Sequence, residues 1–138
     1  MSNSIKSIIP YLTFDGNCEE VLNYYGKVFD GKVNIENRYD NPAMKAPKEY
    51  HNKVLHASLK FGDNIILASD IFPGSQLNRG SSDTSLSLTA VSPDEGKRIF
   101  ERLAEGGKVH VSFEKQFWGA WHGNLTDRYG IKWMMNCE

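Results

Sequence analysis

Residues 17–31 read NCEEVLNYYGKVFDG, residues 92–106 read SPDEGKRIFERLAEG, and these two stretches decide the fold. Each begins with a residue type that caps helices, carries apolar side chains at helical spacing and ends at a glycine. Each therefore predicts an amphipathic helix. An alternating strand pattern follows both helices, KVNI at 32–35 and KVHV at 108–111. Because the two stretches match in order and spacing, they indicate an internal duplication.

The elements around each helix repeat in the same order. Apolar and β-branched runs bounded by turn residues predict four strands in each half. The strands are predicted at 5–14, 32–38, 54–61 and 64–70, and again at 84–90, 108–113, 123–126 and 131–137. Proline-containing segments at 39–52 and 71–83 predict loops, the first of them mobile. Each half is thus a βαβββ module, module one about 5–70 and module two about 84–137, within a single domain over 1–138.

This duplication predicts how the face of each sheet that carries no helix is buried. A helix covers only one face of its module's sheet, so the other face must be buried against a second copy. We therefore predict an α+β fold in which two cupped, mixed sheets enclose a cleft. A cleft between repeated units is a default ligand site.

Composition excludes several classes of partner. The chain has 138 residues, with 16 Lys and Arg against 17 Asp and Glu, so its net charge of −1 argues against nucleic-acid binding. It lacks an apolar run of the roughly 20 residues that a membrane span needs, and its first residues do not read as a signal peptide. Cys18 and Cys137 form no C-x-x-C pair, which favours a reduced, cytoplasmic protein.

Several motifs carry a family resemblance. They are PYLTF at 10–14, FWG at 117–119, GNLTDRYG at 123–130 and WMMN at 133–136. On these motifs the chain resembles the PhnB-like branch of the vicinal oxygen chelate superfamily, which has the glyoxalase and bleomycin-resistance fold. The resemblance implies paired βαβββ modules, commonly in a homodimer, with a ligand cavity inside the cupped sheets. It does not fix a reaction, because this scaffold hosts unrelated chemistries.

The resemblance also implies where a metal ion would be held. Metal-using members place His, Gln or Glu near the start of each module's first strand and Glu in its last strand. Here the first-strand positions are Ile8 or Pro10 in module one and Ser85 in module two, and the last-strand positions are near Ile66 and at Met134. None of these side chains is a good ligand for a hard or borderline divalent ion. We therefore expect no metal site and no cofactor.

Other side chains are candidates for the wall of the cleft. Two histidines occupy equivalent strands of the two modules, and they are interpreted as hydrogen-bonded wall residues rather than metal ligands. Two tryptophans lie in the glycine-bearing stretch FWGAWHG, where exposed indoles offer apolar contact and a hydrogen-bond donor; plain packing is the alternative. The predicted substrate-binding residues are His56, Trp118, Trp121, His122 and Met134.

The sequence argues against nucleophilic catalysis by cysteine and against a Rossmann-type methyltransferase. Cys18 lies at a predicted helix start, but Glu19 and Glu20 beside it disfavour a thiolate. The chain contains no G-x-G sequence, so the glycine-rich cofactor loop of a Rossmann-type methyltransferase is missing.

Three functional hypotheses follow from the sequence. The first is a cytoplasmic, homodimeric protein that binds a small organic molecule in an aromatic, mostly apolar cleft without a metal. The second is a metal-dependent lyase, isomerase or dioxygenase with a relocated site around His56, Asp70 and His122. The third is a dimeric interaction module whose cleft is filled by its own side chains.

Overall fold

The computed structural model describes residues 4–79 and 83–138. The chain divides into two compact units, Met1–Leu77 and Asn78–Glu138. The described part of each unit contains an α-helix and a four-stranded mixed sheet in the order βαβββ. This arrangement confirms the predicted α+β fold of two tandem modules. No helix within the described residues is both long and apolar enough to cross a membrane.

The first unit has its strands in the order β1-β4-β3-β2. Strand β1 is parallel to β4, whereas the β2–β3 and β3–β4 pairs are antiparallel. Two short 3₁₀ helices, Pro42–Met44 and Lys48–Tyr50, lie between β2 and β3. The elements are β1 (Tyr11–Phe14), α1 (Cys18–Phe29), β2 (Lys32–Arg38), β3 (Val54–Phe61) and β4 (Asn64–Asp70).

The second unit repeats this topology with the order β5-β8-β7-β6. Strand β5 is parallel to β8, and the other two pairs are antiparallel. The elements are β5 (Leu86–Thr89), α2 (Pro93–Ala104), β6 (Lys108–Lys115), β7 (Trp121–Thr126) and β8 (Lys132–Cys137).

Two strands differ from the sequence prediction. Strand β1 is shorter than the predicted 5–14, because Pro10 has no N–H and contributes only its carbonyl, which accepts from the Leu67 N–H at 3.0 Å. Strand β6 is an edge strand with two register shifts. Alternation over 108–113 predicts that Val109, Val111 and Phe113 point inward. Phe113 is buried, but the prediction is wrong for the two valines, which are 41% and 39% exposed.

The two helices begin in different ways. Ser92 caps α2 as predicted, because its Oγ accepts the Glu95 N–H at 3.2 Å. The predicted side-chain cap by Asn17 is absent from α1. The Asp70 carboxylate replaces it by accepting the Cys18 N–H at 2.9 Å. The first-unit helix is therefore capped by a residue at the end of β4.

Tertiary contacts tether segment 39–52, which the sequence predicts as a mobile loop. Tyr39 is buried, and its hydroxyl donates to the Asp70 carbonyl at 2.9 Å. The Tyr50 hydroxyl donates to the Ile71 carbonyl. Both ends of the segment are thus attached to the end of β4.

The two faces of the second sheet differ in character. Helix α2 packs against one face, where alternate residues of β7 and β8 are buried, among them Leu125, Trp133 and Met135. The intervening residues belong to the opposite face, which we call the polar face: His122, Asn124, Thr126, Lys132, Met134 and Asn136.

Candidate functional site

An open cavity of about 620 Å³ lies on the polar face, and all of its lining residues belong to the second unit. Met134 contributes the exposed apolar side chain of the lining, and Leu125, Gly130 and Trp133 also border the cavity. The polar lining is Arg79, Ser85, His110, Asn124, Thr126 and Lys132. The cavity therefore combines hydrogen-bonding and cationic side chains with a small apolar wall.

Met134 lies at the centre of this surface. It is 36% exposed and sits opposite Asn124 of β7 and Ser87 of β5 in the sheet register. In the first unit, Leu67 has the corresponding register position opposite Tyr11. The sequence placed this position near Ile66, but Ile66 is buried on the other face, so the register moves it by one residue.

The last-strand positions Leu67 and Met134 test whether the chain can hold the metal ion that the family resemblance implies. Leu67 offers no donor atom, and Met134 offers only a soft thioether, which does not suit a hard or borderline divalent ion. The described residues contain no group of three or more His, Cys, Asp or Glu side chains that could hold a metal ion. The side chains present therefore do not fit the family's metal site.

His122 is held in one orientation by the amide of Asn136. Its Nδ1 lies 2.8 Å from Asn136 Oδ1, while Asn136 Nδ2 donates to Ser87 Oγ at 2.9 Å and to the Leu88 carbonyl at 3.3 Å. Because a carbonyl can only accept, the amide nitrogen must face Leu88 and its oxygen must face the ring. We therefore assign the proton of the neutral ring to Nδ1. Nε2 keeps its lone pair, 3.3 Å from Asn124 Nδ2.

His56 has different surroundings in the first unit. Its Nδ1 lies 3.4 Å from the Tyr11 hydroxyl, and its Nε2 lies 3.4 Å from a carboxylate oxygen of Glu36. Its ring also stacks on Tyr11, with 6.0 Å between the ring centroids. The two histidines occupy corresponding strands, β3 and β7, but among the described residues the ring of His122 contacts amides, whereas that of His56 contacts a hydroxyl and a carboxylate.

The two candidate tryptophans lie at or just before the start of β7, and Trp121 faces away from His122. Trp121 alternates with His122 on β7, and its ring packs 5.5 Å from Phe113 on the α2 side of the sheet. Trp118 is 57% exposed in the turn between β6 and β7. There it contacts Phe117 edge to face, with 4.8 Å between the rings. Of the five predicted binding residues, the structure brings His122 and Met134 onto one face.

The buried carboxylates have structural roles. Asp127 accepts the N–H groups of Tyr129 and Ile131 at 2.8 and 3.0 Å, and the indole N–H of Trp133 at 2.9 Å. Asp70 accepts the N–H groups of Cys18 and Val54 at 2.9 and 2.8 Å. Both carboxylate oxygens of Asp70 therefore accept backbone hydrogen bonds, which argues against Asp70 as a metal ligand.

Cys18 is held as a neutral thiol. Burial raises its pKa to about 12, and the negative charges of Asp70 and Glu19 act in the same direction. A nucleophilic cysteine needs the opposite environment. This agrees with the sequence argument against a thiolate at Cys18.

Sequence reasoning missed several residues of the cavity. Asn124 and Thr126 follow His122 at intervals of two, and Lys132 precedes Met134 by two. Strand alternation counted from His122 and Met134 could therefore have identified them. Arg79 lies in the segment before β5, and no periodic pattern points to it.

Comparison with known proteins gives a family for the chain. A family model described as 3-demethylubiquinone-9 3-methyltransferase matches residues 6–136. Among solved structures, protein PA1353 from Pseudomonas aeruginosa is 36% identical with a TM-score of 0.84, covering 97% of this chain and 98% of that one.

Two more distant structures show the fold. The PhnB protein from Bacillus cereus is 23% identical with a TM-score of 0.79, covering 96% of this chain and 100% of that chain. A glyoxalase-related enzyme from Fulvimarina pelagi is 14% identical with a TM-score of 0.66, covering 97% and 89%. The family model spans nearly the whole chain, so the chain belongs to the family that this model describes. Its two βαβββ modules have the fold of the PhnB protein and of the glyoxalase-related enzyme, as the resemblance to the PhnB-like branch of the vicinal oxygen chelate superfamily predicts.

Proposed function

We propose that this protein binds a small organic molecule in the cavity on the polar face of its second sheet. The cavity itself carries the proposal, because about 620 Å³ lies within the roughly 300–1,000 Å³ of small-molecule sites. Its lining offers an apolar contact at Met134 and polar groups at Asn124 and Thr126. This mixture supports a polar ligand with an apolar part, rather than the mostly apolar, aromatic cleft expected from the sequence.

His122 gives this site a hydrogen-bond acceptor behind Asn124. The amide of Asn136 holds the Nδ1 proton, so Nε2 faces the amide of Asn124, a lining residue. Through that amide, His122 orients a group that binds the ligand. If Asn124 turns aside, Nε2 can accept a proton as a general base, so binding alone and slow catalysis both fit this arrangement.

A labelled-methionine experiment tests the binding proposal. In protein with ¹³C-labelled methionine methyl groups, a bound fragment should shift the Met134 signal and the Asn124 side-chain amide, but not the Met44 signal, which lies outside the cavity. Met134→Lys should block binding, and Met44→Lys should not. The proposal fails if the fragments that bind leave Met134 unshifted and bind Met134→Lys as tightly as the unmodified protein.

The other three residues that the sequence predicts to bind the ligand remain predictions. His56, Trp118 and Trp121 are proposed contacts whose substitution by Ala should weaken binding. A correctly folded Trp121→Ala protein that still binds would assign Trp121 to packing against Phe113, as its 5.5 Å ring contact favours.

We also propose that binding needs no metal, because Met134 and Leu67 replace the last-strand donors of the metal-using members. Elemental analysis of the purified protein should find substoichiometric Ni, Zn, Mn and Fe, and adding these ions should not raise its melting temperature. One equivalent of a metal would instead favour the metal-dependent lyase, isomerase or dioxygenase.

The family model's description names methyl transfer, and we do not extend that activity to this chain as a Rossmann-type reaction. The described residues form two mixed sheets, whereas a Rossmann domain has an open parallel sheet with a glycine-rich turn. Calorimetric titration with S-adenosylmethionine should show no binding. Saturable binding would refute this proposal.

The assembly is a further part of the proposal. We propose one glyoxalase/bleomycin-resistance-like domain over 1–138, a homodimer in solution and a cytoplasmic location. Light scattering should return about twice the 15.6 kDa of one chain. A monomeric mass would refute the homodimer. It would also refute the alternative function as a dimeric interaction module.

A further inference from the structure

We propose that the cavity on the polar face selects ligands that carry a hydrogen-bond donor, an amide N–H or a hydroxyl O–H, which the Oδ1 atom of Asn124 accepts. Asn124 is then the specificity-determining residue of the cavity, while Asn136 and His122 are positioning residues that act through it. This inference rests on the proposed function, because it names the class of small molecule that the same cavity binds.

Hydrogen-bond direction fixes which end of the Asn124 amide faces the ring of His122. The Leu88 carbonyl, which can only accept, holds the nitrogen of the Asn136 amide, so Asn136 Oδ1 accepts the Nδ1 proton of His122. The neutral ring then has a lone pair on Nε2, and this atom can only accept. Its neighbour at 3.3 Å is therefore the donor end of Asn124, the Nδ2 atom.

The acceptor end of the same amide is open to the cavity. Asn124 lines the cavity, and within residues 4–79 and 83–138 its Oδ1 atom has no hydrogen-bond partner. In that part of the chain every buried side-chain oxygen or nitrogen has a partner, so this Oδ1 atom must be accessible to solvent. A bound ligand that covers Oδ1 therefore binds more tightly when it supplies the missing donor, because an acceptor buried without a partner costs free energy.

Met134 places an apolar contact beside this acceptor. It lies directly opposite Asn124 in the register of β7 and β8, and it is 36% exposed. Side chains that lie opposite each other on one face of an antiparallel pair have their Cβ atoms about 5 Å apart. One small molecule can therefore contact the thioether and donate to Oδ1 at the same time. The ligand class is a compact molecule with an N–H or O–H group beside an apolar group.

In the first unit, serines occupy both positions that correspond to the amides. The strand register puts Ser58, two residues after His56, at the position of Asn124. It puts Ser69 of β4 at the position of Asn136. Both serines are buried, so the first unit keeps the histidine without an accessible amide at these positions. The amide pair is therefore a feature of the second unit, to which the cavity also belongs.

Two matched probes test the inference in the full chain. δ-Valerolactam carries an N–H group, and cyclohexanone is a ring of the same size with CH₂ in its place. Each probe is titrated while the methyl signal of Met134 and the side-chain amide signals of Asn124 are followed. The donor preference is the Kd of cyclohexanone divided by the Kd of δ-valerolactam, and we expect the lactam to bind more tightly.

Substitutions of Asn124 locate the donor preference. Asn124→Leu has a similar shape without the acceptor, so it should lower the preference roughly tenfold, equivalent to about 1.4 kcal/mol. Asn124→Asp keeps an oxygen acceptor and should retain the preference. Asn23→Leu makes the same change at an exposed position of α1 and should leave the preference intact. If Asn124→Leu fails to fold by circular dichroism, Asn124→Ala provides the same comparison.

Asn136→Ala tests the positioning residues. Without this amide, His122 can hold its proton on either ring nitrogen, so Asn124 can turn either end towards the cavity. The donor preference should fall about twofold or more while cyclohexanone binds as before, and ¹H–¹⁵N spectra of His122 should show both tautomers. An equal loss for both probes, with the tautomer of His122 unchanged, would instead assign Asn136 a structural role alone.

The outcomes separate this inference from the proposed function. If both probes shift the Met134 signal and the preference is the same in Asn124→Leu as in the unmodified protein, the acceptor role of Asn124 is refuted and small-molecule binding stands. If neither probe binds although other fragments shift Met134, the inference alone is refuted. If no fragment shifts Met134, the proposed function fails and the inference fails with it.

Discussion

The Nδ1 atom of His122 lies 2.8 Å from the Oδ1 atom of Asn136, and the same amide is anchored on its nitrogen side by the Leu88 carbonyl. A backbone group of β5 therefore determines which ring nitrogen of His122 can accept a proton. His51 provides the opposite case within the same chain, because its Nε2 lies 3.0 Å from the Ala46 carbonyl and must donate.

We therefore expect opposite tautomers for the two histidines. In long-range ¹H–¹⁵N spectra at a pH where the rings are neutral, His122 should carry its proton on Nδ1 and His51 on Nε2. Asn136→Ala should leave His122 as a mixture of both tautomers, while His51 keeps its own. An unchanged His122 spectrum in Asn136→Ala would show that the amide does not control the ring.

Asp127 should contribute strongly to stability, because three N–H donors converge on its buried carboxylate. In Asp127→Asn, the new NH₂ group must face one of those donors, so we expect the free energy of unfolding to fall by about 3 kcal/mol. Asp63→Asn, in the exposed β3–β4 turn, should change it by less than about 0.5 kcal/mol. Urea denaturation measures both, and equal effects would contradict the assigned role.

Gly123 should not tolerate a side chain. A Cβ at this position would lie 2.7 Å from Phe113 Cα and 2.8 Å from its backbone nitrogen. We expect Gly123→Ala to lower the free energy of unfolding by about 2 kcal/mol or more, because backbone of β6 would have to move.

Comparison with Gly74→Ala distinguishes a steric clash at Gly123 from the cost of backbone strain. Gly74 has φ +90°, and a Cβ there would meet nothing within 4 Å. Its substitution should cost only about 1–2 kcal/mol of conformational strain. Thermal unfolding compares the two variants, and a smaller loss for Gly123→Ala would argue against the close approach of β6 and β7.

Alkaline pH should destabilise the protein through Cys18 and Tyr50. Burial is the main cause that raises the pKa of both groups to about 12, from ordinary values of 9.0 and 10.0. In that range the unfolded chain has lost protons that the folded chain still holds, so the free energy of unfolding falls as the pH rises from about 9 towards 12.

Cys18→Ala tests the size of this effect. The variant lacks one of the two groups, so its free energy of unfolding should fall less steeply with pH, whatever its stability at neutral pH. Urea denaturation across the alkaline range measures the slope. A slope equal to that of the unmodified protein would assign the alkaline loss to other groups.

The sequence alone indicated the modules, because helices and strands have different periods and the turns are marked by Gly, Pro, Asp and Asn. The predicted wall residues His122 and Met134 lie on one face of the second sheet, because alternate residues of a strand point to the same side. Alternation would also have put Trp121 and His122 on opposite faces. It was not applied there, because the glycines of FWGAWHG suggested a strand beginning only at 123, whereas β7 begins at Trp121.

Contacts between residues far apart in the chain were decided only by tertiary structure. Asp70 caps α1 across 52 positions, the Leu88 carbonyl orients the amide of Asn136, and Arg79 packs against the turn at Gly130. Local propensity cannot encode such pairs, because sheet register and close packing bring their atoms together. The sequence therefore determined which elements form and which face is polar, while the tertiary structure determined which side chains meet there and which atoms they present.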